Sequence, residues 1–281
     1  MKMIALIVLM ISSLVRCQEE ISPQFGSNKK TAIKRGLFCG IAGGLAAHYP
    51  NAIKNKLYQD KRIFTYDAQK TKLHNIAGNC LSLTRGIGIF TASITLGTLT
   101  QTPLKETIQT VVPSALSKMT QEFSSLAIAG MLSAAFVCPA DYYLIKQQNT
   151  GLPLKKVIRN HSLKKVFSAV GITGCREIFS AAFLISNTVA DYVNIFPEHK
   201  ILHSLGGSIP VAIVSASLSA PLDKIKTCAQ SADISTKEAF KRIYSTNGIK
   251  RFVSLKELAG RNAVFLAAIP PMSLMAELIK N

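Results

Sequence analysis

The chain has 281 residues, with 33 Lys and Arg against 15 Asp and Glu, and so a formal charge of +18. Yet 48% of it is hydrophobic, only 17% is charged, and mean hydropathy is +0.26. A nucleic-acid binder of this charge is usually dense in both signs and poor in long apolar runs. A disordered basic tail lacks the apolar content, and a single soluble domain of this length should not show neutral stretches that match the thickness of a membrane.

Residues 1–29 form an N-terminal extension. Lys2, an apolar run from Met3 to Val15 broken by Ser12 and Ser13, and then Arg16 and Cys17 read as a secretory leader or an uncleaved hydrophobic arm. Beyond it, six stretches carry no charge: Gly36–Ile53 (18 residues), Gly86–Leu104 (19), Phe123–Ala140 (18), Ile178–Ala190 (13), Ile201–Leu222 (22) and Asn262–Ala276 (15). About 20 helical residues cross a hydrocarbon core of ~30 Å, so four of the six are near spanning length. The other two reach it if Arg176–Glu177 and Arg261 enter the membrane, where charges face a polar cavity. Gly, Ala, Ser and Thr inside the stretches suit close helix packing in lipid, and a soluble bundle of buried helices does not account for the scarcity of acids.

The six cysteines (17, 39, 80, 138, 175, 228) and five histidines (48, 74, 161, 199, 203) form no metal-ligand or catalytic pattern. In or beside apolar stretches, a cysteine reads as a small packing residue. No phosphate-binding loop, nucleophile elbow or zinc-protease helix is present, so the sequence predicts no enzyme, no catalytic residue, no metal and no cofactor.

A repeat organises the rest. Pro50, Pro139 and Pro221 stand near the C-terminal ends of neutral stretches, 89 and 82 residues apart, and Gln59, Gln148 and Gln230 follow each by nine residues. A short basic amphipathic segment comes next in each copy: Leu73/Ile76/Ala77, Leu154/Val157/Ile158 and Phe240/Ile243/Tyr244. Apolar residues at i, i+3 and i+4 among Lys and Arg fit a helix lying in the interface of an anionic membrane. A second neutral stretch closes each copy, so the unit is span, interfacial helix, span.

This pattern resembles the mitochondrial carrier family over nearly everything from about residue 30 onward. The carrying motif is P-x-[DE]-x-x-[KR] with its downstream glutamine. Pro221, Asp223, Lys226 and Gln230 match it in full; the second copy keeps Pro139, Asp141 and Gln148 with Leu144 in the basic place; the first keeps Pro50 and Gln59, with Ala52 and Asn55 in the charged places. Gly36, Gly40 and Gly44, and later Gly130, are the small residues that let helices approach. Arg85–Gly86 echoes the end of the family's second motif, with Thr84 in place of its aromatic residue.

The resemblance implies an all-α membrane protein of six transmembrane helices in three pseudo-threefold repeats (30–112, 113–198 and 199–281), each with a short interfacial helix. It also implies alternating-access transport of a small anionic metabolite across the mitochondrial inner membrane, by a monomer that binds cardiolipin-like anionic lipid at the matrix face and no nucleic acid. Proline kinks each odd-numbered helix by removing a backbone hydrogen bond and so brings the three together at a matrix gate. Carried over by position, Asp141 meets Lys226 as an ion pair, Asp223 meets Asn55 as an ion–dipole pair, and Ala52 meets Leu144, all braced by Gln59, Gln148 and Gln230. One ion pair in this gate implies a matrix side that opens more readily than is usual in the family. At the opposite face, Glu277 and Lys280 keep the charged spacing of a cytosolic gate, which leaves one-for-one exchange, uniport and unidirectional transport open.

Family members hold cargo midway across the membrane on the even-numbered helices, which implies contacts at Ser93 and Ile94, Arg176 and Glu177, and Arg261 and Asn262. With Arg85, these places are net positive and suit an anion. The adjacent Arg–Glu pair is similar to that of amino-acid-type carriers, whereas a leader-like N-terminus on a carrier body is similar in kind to a bacterial effector carrier that enters host mitochondria and moves nucleotides. Adenine nucleotide is the expected cargo, and in the effector case the chain is secreted before it reaches the host inner membrane. Amino-acid-type cargo, or an interaction protein that has lost transport, are the alternatives.

Overall fold

A computed structural model describes residues 26–111, 118–193, 198–248, 252 and 254–280; the leader-like segment lies outside them. No strand occurs among the described residues, which are helical almost throughout. The helices are α1 (Gly26–Tyr58), α2 (Lys72–Thr84), α3 (Ile87–Val111), α4 (Lys118–Thr150), α5 (Leu154–Arg159), α6 (Leu163–Val166) and α7 (Val170–Ser180). A 3-10 turn (Ala181–Ile185) joins α7 to α8 (Ser186–Val193), and α9 (Lys200–Ala232), α10 (Thr236–Asn247) and α11 (Leu255–Lys280) follow. Among the described residues, three stretches are long and apolar enough to cross a membrane: Lys72–Val111, Thr120–Thr150 and Lys200–Ala232.

The long helices close on themselves. α1 packs against α3 and α11, α3 against α4, α4 against α7, and α9 against α7, α8 and α11. Pro50, Pro139 and Pro221 all lie inside helices, in α1, α4 and α9. Each removes one backbone donor, a loss that neighbouring helices offset more readily in lipid than in water.

Glycine sets the closeness of the ring. Gly36, Gly40 and Gly44 recur every four residues and form one line down α1. A Cβ on Gly40 would lie 2.4 Å from Thr95 Cα, and one on Gly44 2.7 Å from Thr91 Cα, so the backbones of α1 and α3 are in contact. Thr98 Oγ1 donates to the Gly36 carbonyl at 2.6 Å across the same seam. Gly130 does likewise for α4 and α7, where a Cβ would meet the backbone of Glu177 and Ile178 at 2.8 Å.

The sidedness is compatible with a protein in lipid. Leu37, Phe38, Ile41 and Leu45 of α1, Met131 and Leu132 of α4, and Ile209, Ile213 and Leu218 of α9 are exposed on the outside. Lys54, Asp141, Arg176, Glu177, Asp223, Lys226 and Arg261 are buried within. The main apolar cluster, which includes Phe90, Val211, Val264, Phe265, Ile269 and Met272, also lies inside the ring.

The basic amphipathic segments of the sequence fall on the short helices α2, α5 and α10. Two of their starts carry side-chain caps: Thr71 caps α2 by accepting from His74 N at 3.3 Å. Ser235 caps α10 by accepting from Glu238 N at 3.1 Å, the S-x-x-E arrangement of a capping box.

Alanine at Gly40 should push α1 off α3 and cost about 1–3 kcal/mol, seen as a lower melting temperature in detergent. Alanine at Gly78, in α2 with nothing within 4 Å of its Cβ position, should be neutral or stabilise by about 0.5–1 kcal/mol.

Candidate functional site

The ring surrounds a buried charge cluster centred on the carboxylate of Asp223, which has no exposed surface. Lys54 Nζ lies 2.5 Å from Asp223 Oδ2 and Arg261 Nη1 lies 3.4 Å from the same oxygen. On Oδ1, Arg176 Nη1 stands at 3.1 Å and Lys226 Nζ at 3.3 Å. Asp141 adds a second carboxylate: its Oδ2 accepts from Lys226 at 2.7 Å and pairs with Arg176 Nη2 at 2.8 Å, and its Oδ1 accepts from Ser93 Oγ at 2.9 Å. Arg176 also pairs with Glu177, whose other oxygen accepts from Gln101 Nε2 at 3.1 Å. Arg261 donates through Nε to Ser219 Oγ at 3.2 Å and lays its guanidinium over the Phe265 ring, 4.4 Å from the centroid.

Four cations (Lys54, Arg176, Lys226, Arg261) thus face three carboxylates (Asp141, Glu177, Asp223), a net of 4 − 3 = +1. Beside them is a cavity of about 90 Å³, lined on its polar side by this cluster and on the other by Phe90, Val264, Phe265, Ile269 and Met272. The space has room for a few waters.

Many of the charged and polar residues singled out in the sequence converge here. Asp141, Asp223, Lys226, Ser93, Ile94, Arg176, Glu177 and Arg261 belong to the cluster or line the cavity, as does Asn55. Asn55, however, does not meet Asp223. Its Nδ2 donates to Gln148 Oε1 at 2.8 Å, and Lys54 reaches Asp223 instead. Consecutive helical residues differ by about 100° in direction, so only one of the two can point at that carboxylate, and the longer, charged side chain takes the place. The single ion pair expected between the proline-bearing helices is therefore two, Asp141–Lys226 between α4 and α9 and Asp223–Lys54 between α9 and α1.

Arg85 is not at the cavity. It caps the end of α2, exposed, with its guanidinium against Gly151. It lies in the break before α3 and is not among the residues that line the cavity. Asn262 is half-buried, does not line the cavity and leaves Oδ1 without a partner among the described residues; Arg261, one position earlier, faces inward in its place. Gln59 lies in the turn after α1, where its N–H donates to Lys56 O at 3.2 Å. Gln230 is buried and donates to Cys138 O at 3.5 Å, linking α9 to α4. Leu144 packs with Ile89 and Phe90 in the main apolar cluster, and Ala52 is buried on α1. Glu277 and Lys280 fall in the last turns of α11, and their side chains lie outside the described residues.

Other pairs were not legible as pairs in the sequence. Lys224 and Glu257, buried, join α9 to the first turn of α11 at 2.5 Å. Near the far end of α3, Lys105 meets Glu122 at 2.5 Å and Arg35 meets Glu106 at 3.5 Å. These long-range partners leave no mark in local spacing. At the end of α9, Asp233 adopts a left-handed conformation (φ 56°), pairs with Lys146 at 2.9 Å and accepts from Tyr142 Oη at 2.7 Å. Tyr142 in turn contacts His161 Nδ1 at 3.0 Å.

Among the described residues no group of three His, Cys, Asp or Glu is placed to hold a metal ion, and Cys39, Cys80, Cys138, Cys175 and Cys228 are free thiols. Compared with known proteins, the sequence matches no family model and no curated relative.

Two predictions test this geometry. Lys54→Met removes the nearest cation from a buried carboxylate and should lower the melting temperature clearly more than Asn55→Ala, the reverse of what the motif position implies. At Asp233, burial raises the carboxyl pKa, but the hydrogen bonds from Lys146 and Tyr142 outweigh it and hold the group below the usual carboxylate range. Its stabilisation is therefore complete above the unfolded value of about 4 and is lost as pH falls through the lower folded one. Asp233→Asn should flatten that acid-side slope in thermal unfolding measured across pH.

Proposed function

We propose that the chain is an alternating-access transporter of a small organic anion, built like the mitochondrial carriers it resembles. In this reading six segments cross the membrane (α1, α3, α4, α7 with α8, α9 and α11), as three repeats over 30–112, 113–198 and 199–281. One observation carries it: buried ion pairs tie the three proline-bearing helices together, α4 to α9 through Asp141–Lys226 and α9 to α1 through Asp223–Lys54. A static bundle of this size gains little from buried ion pairs, because desolvation offsets most of their attraction. A gate uses them well, since they close one side firmly and separate when other partners are offered.

The cargo in this reading is an anion bound through Arg176 and Arg261. Guanidinium groups present planar, paired donors to phosphate or carboxylate. Phe90 and Phe265 belong to the apolar wall of the cavity, and apolar aromatic surface beside guanidinium groups suits a base joined to phosphates, which supports adenine nucleotide as the cargo. Glu177 supports the second reading, an amino-acid-type cargo whose ammonium group it would meet. The transporter works as a monomer in the mitochondrial inner membrane, with its basic short helices on cardiolipin-like anionic lipid.

Uptake by the purified protein in proteoliposomes, over ATP, ADP, phosphate, aspartate and glutamate, tests the reading. Saturable uptake of ATP or ADP is expected, abolished by Arg176→Ala. Asp141→Lys should impair it, and adding Lys226→Asp should restore part. Uptake of acidic amino acids alone would replace nucleotide with the second reading, and uptake of nothing would leave an interaction protein. Preloading the vesicles with unlabelled cargo separates exchange from uniport.

A further inference from the structure

Gln101 is a polar side chain inside an uncharged stretch, and only one end of its amide is used. It lies on α3 about two turns beyond Ser93, at no place that the resemblance assigns to cargo, and it lines the same cavity. The residue is 2% exposed, and an amide buried to that extent needs partners for two N–H bonds and one carbonyl. Nε2 donates to Ser133 Oγ of α4 at 2.9 Å and to Glu177 Oε2 of α7 at 3.1 Å. Both N–H bonds are therefore taken. Oε1 has no partner among the described residues.

The surrounding network fixes which end is free. Ser133 gives its own proton to the Gly130 carbonyl at 2.7 Å, so towards Gln101 its oxygen acts as an acceptor. Glu177 pairs through Oε1 with Arg176 and meets Gln101 with Oε2. Turning the amide over would set its carbonyl against a carboxylate and against a hydroxyl whose proton is already committed. Gly97, about one turn before Gln101 and also part of the cavity wall, leaves this contact uncovered. A Cβ there would lie 3.8 Å from Gln101 Nε2 and 3.9 Å from Glu177 Oε2.

The geometry points to Gln101 as a specificity-determining residue, whose Oε1 accepts a hydrogen bond from an N–H group of the cargo while Arg176 and Arg261 hold its anionic end. The cargo class is then an anion that also carries an amino group. An anion made of acceptors alone, such as a dicarboxylate, leaves Oε1 unpaired. A polar site rejects an analogue that lacks a donor for that reason, because a buried acceptor without a partner is costly. The base of a nucleotide and the ammonium group of an amino acid both supply the N–H, and the chemistry at Gln101 is shared. The inference rests on the transport reading and narrows its cargo.

Proteoliposome uptake by the purified chain would be compared for two pairs that differ by the amino group, ATP against purine riboside triphosphate and aspartate against succinate, with phosphate as a fifth compound. The pair that is carried identifies the source of the N–H. Within it, Gln101→Met should shrink the preference for the amino compound about tenfold, the worth of one good hydrogen bond. Wild type and variant see the same difference in cargo charge, so the change in preference isolates that bond. A residue that merely braced α3, α4 and α7 would, on replacement, lower both members of a pair alike. Should Gln101→Met fail to fold, Ser133→Ala decides in its place, because it frees one N–H, loosens the amide and should shrink the preference in the same direction. An unchanged preference, or uptake of phosphate alone, overturns the inference and leaves transport standing. Uptake of no anion overturns both.

Discussion

A carboxylate with no exposed surface lies at the middle of this chain, and its need for compensation constrains nearly everything around it. Asp223 cannot stay ionised in that position without cations, because an isolated buried charge costs several kcal/mol or more. Its own helix supplies Lys226, and α1, α7 and α11 must each be rotated to present Lys54, Arg176 and Arg261. Such short reaches require helices that nearly touch, which is what the glycine line of α1 and Gly130 of α4 permit. Outward apolar faces and an inward polar cluster are then two aspects of one solution: the outside suits an apolar surrounding, and the charges solvate one another.

The same constraint brings together two groups of residues that the resemblance keeps apart. Cargo contacts and gate pairs are expected at separate levels, yet Arg176 meets Asp141, Asp223 and Glu177 at once. The guanidinium best suited to an anionic cargo is thus already occupied by the protein's own acids. In the proposed transporter, an arriving anion would compete with those carboxylates for Arg176 and Arg261, so that binding the cargo and loosening the gate would draw on the same ionic contacts.

Much of the architecture was legible along the chain. Charge-free stretches, prolines with a glutamine nine residues later and basic amphipathic segments are all one-dimensional patterns, and the long helices, the proline positions and the short helices α2, α5 and α10 correspond to them. The glycine spacing on α1 was legible for the same reason. Partner choice was less so. The motif place pointed to Asn55 where Lys54 acts, and to Arg85 and Asn262 where neither lines the cavity. Lys224–Glu257 and Lys105–Glu122 had no sequence signal at all, since residues far apart in the chain leave no periodicity when they meet.

The sequence by itself determined a helical chain with an apolar exterior, the kinds of charge carried inside, and the segments in which those charges sit, because hydropathy, helix breaks and caps act over a few residues. Only the tertiary structure decided which side chains converge on Asp223. One step along a helix changes a side chain's direction by about 100°, and that rotation is set by glycine contacts and buried charges contributed from the rest of the chain.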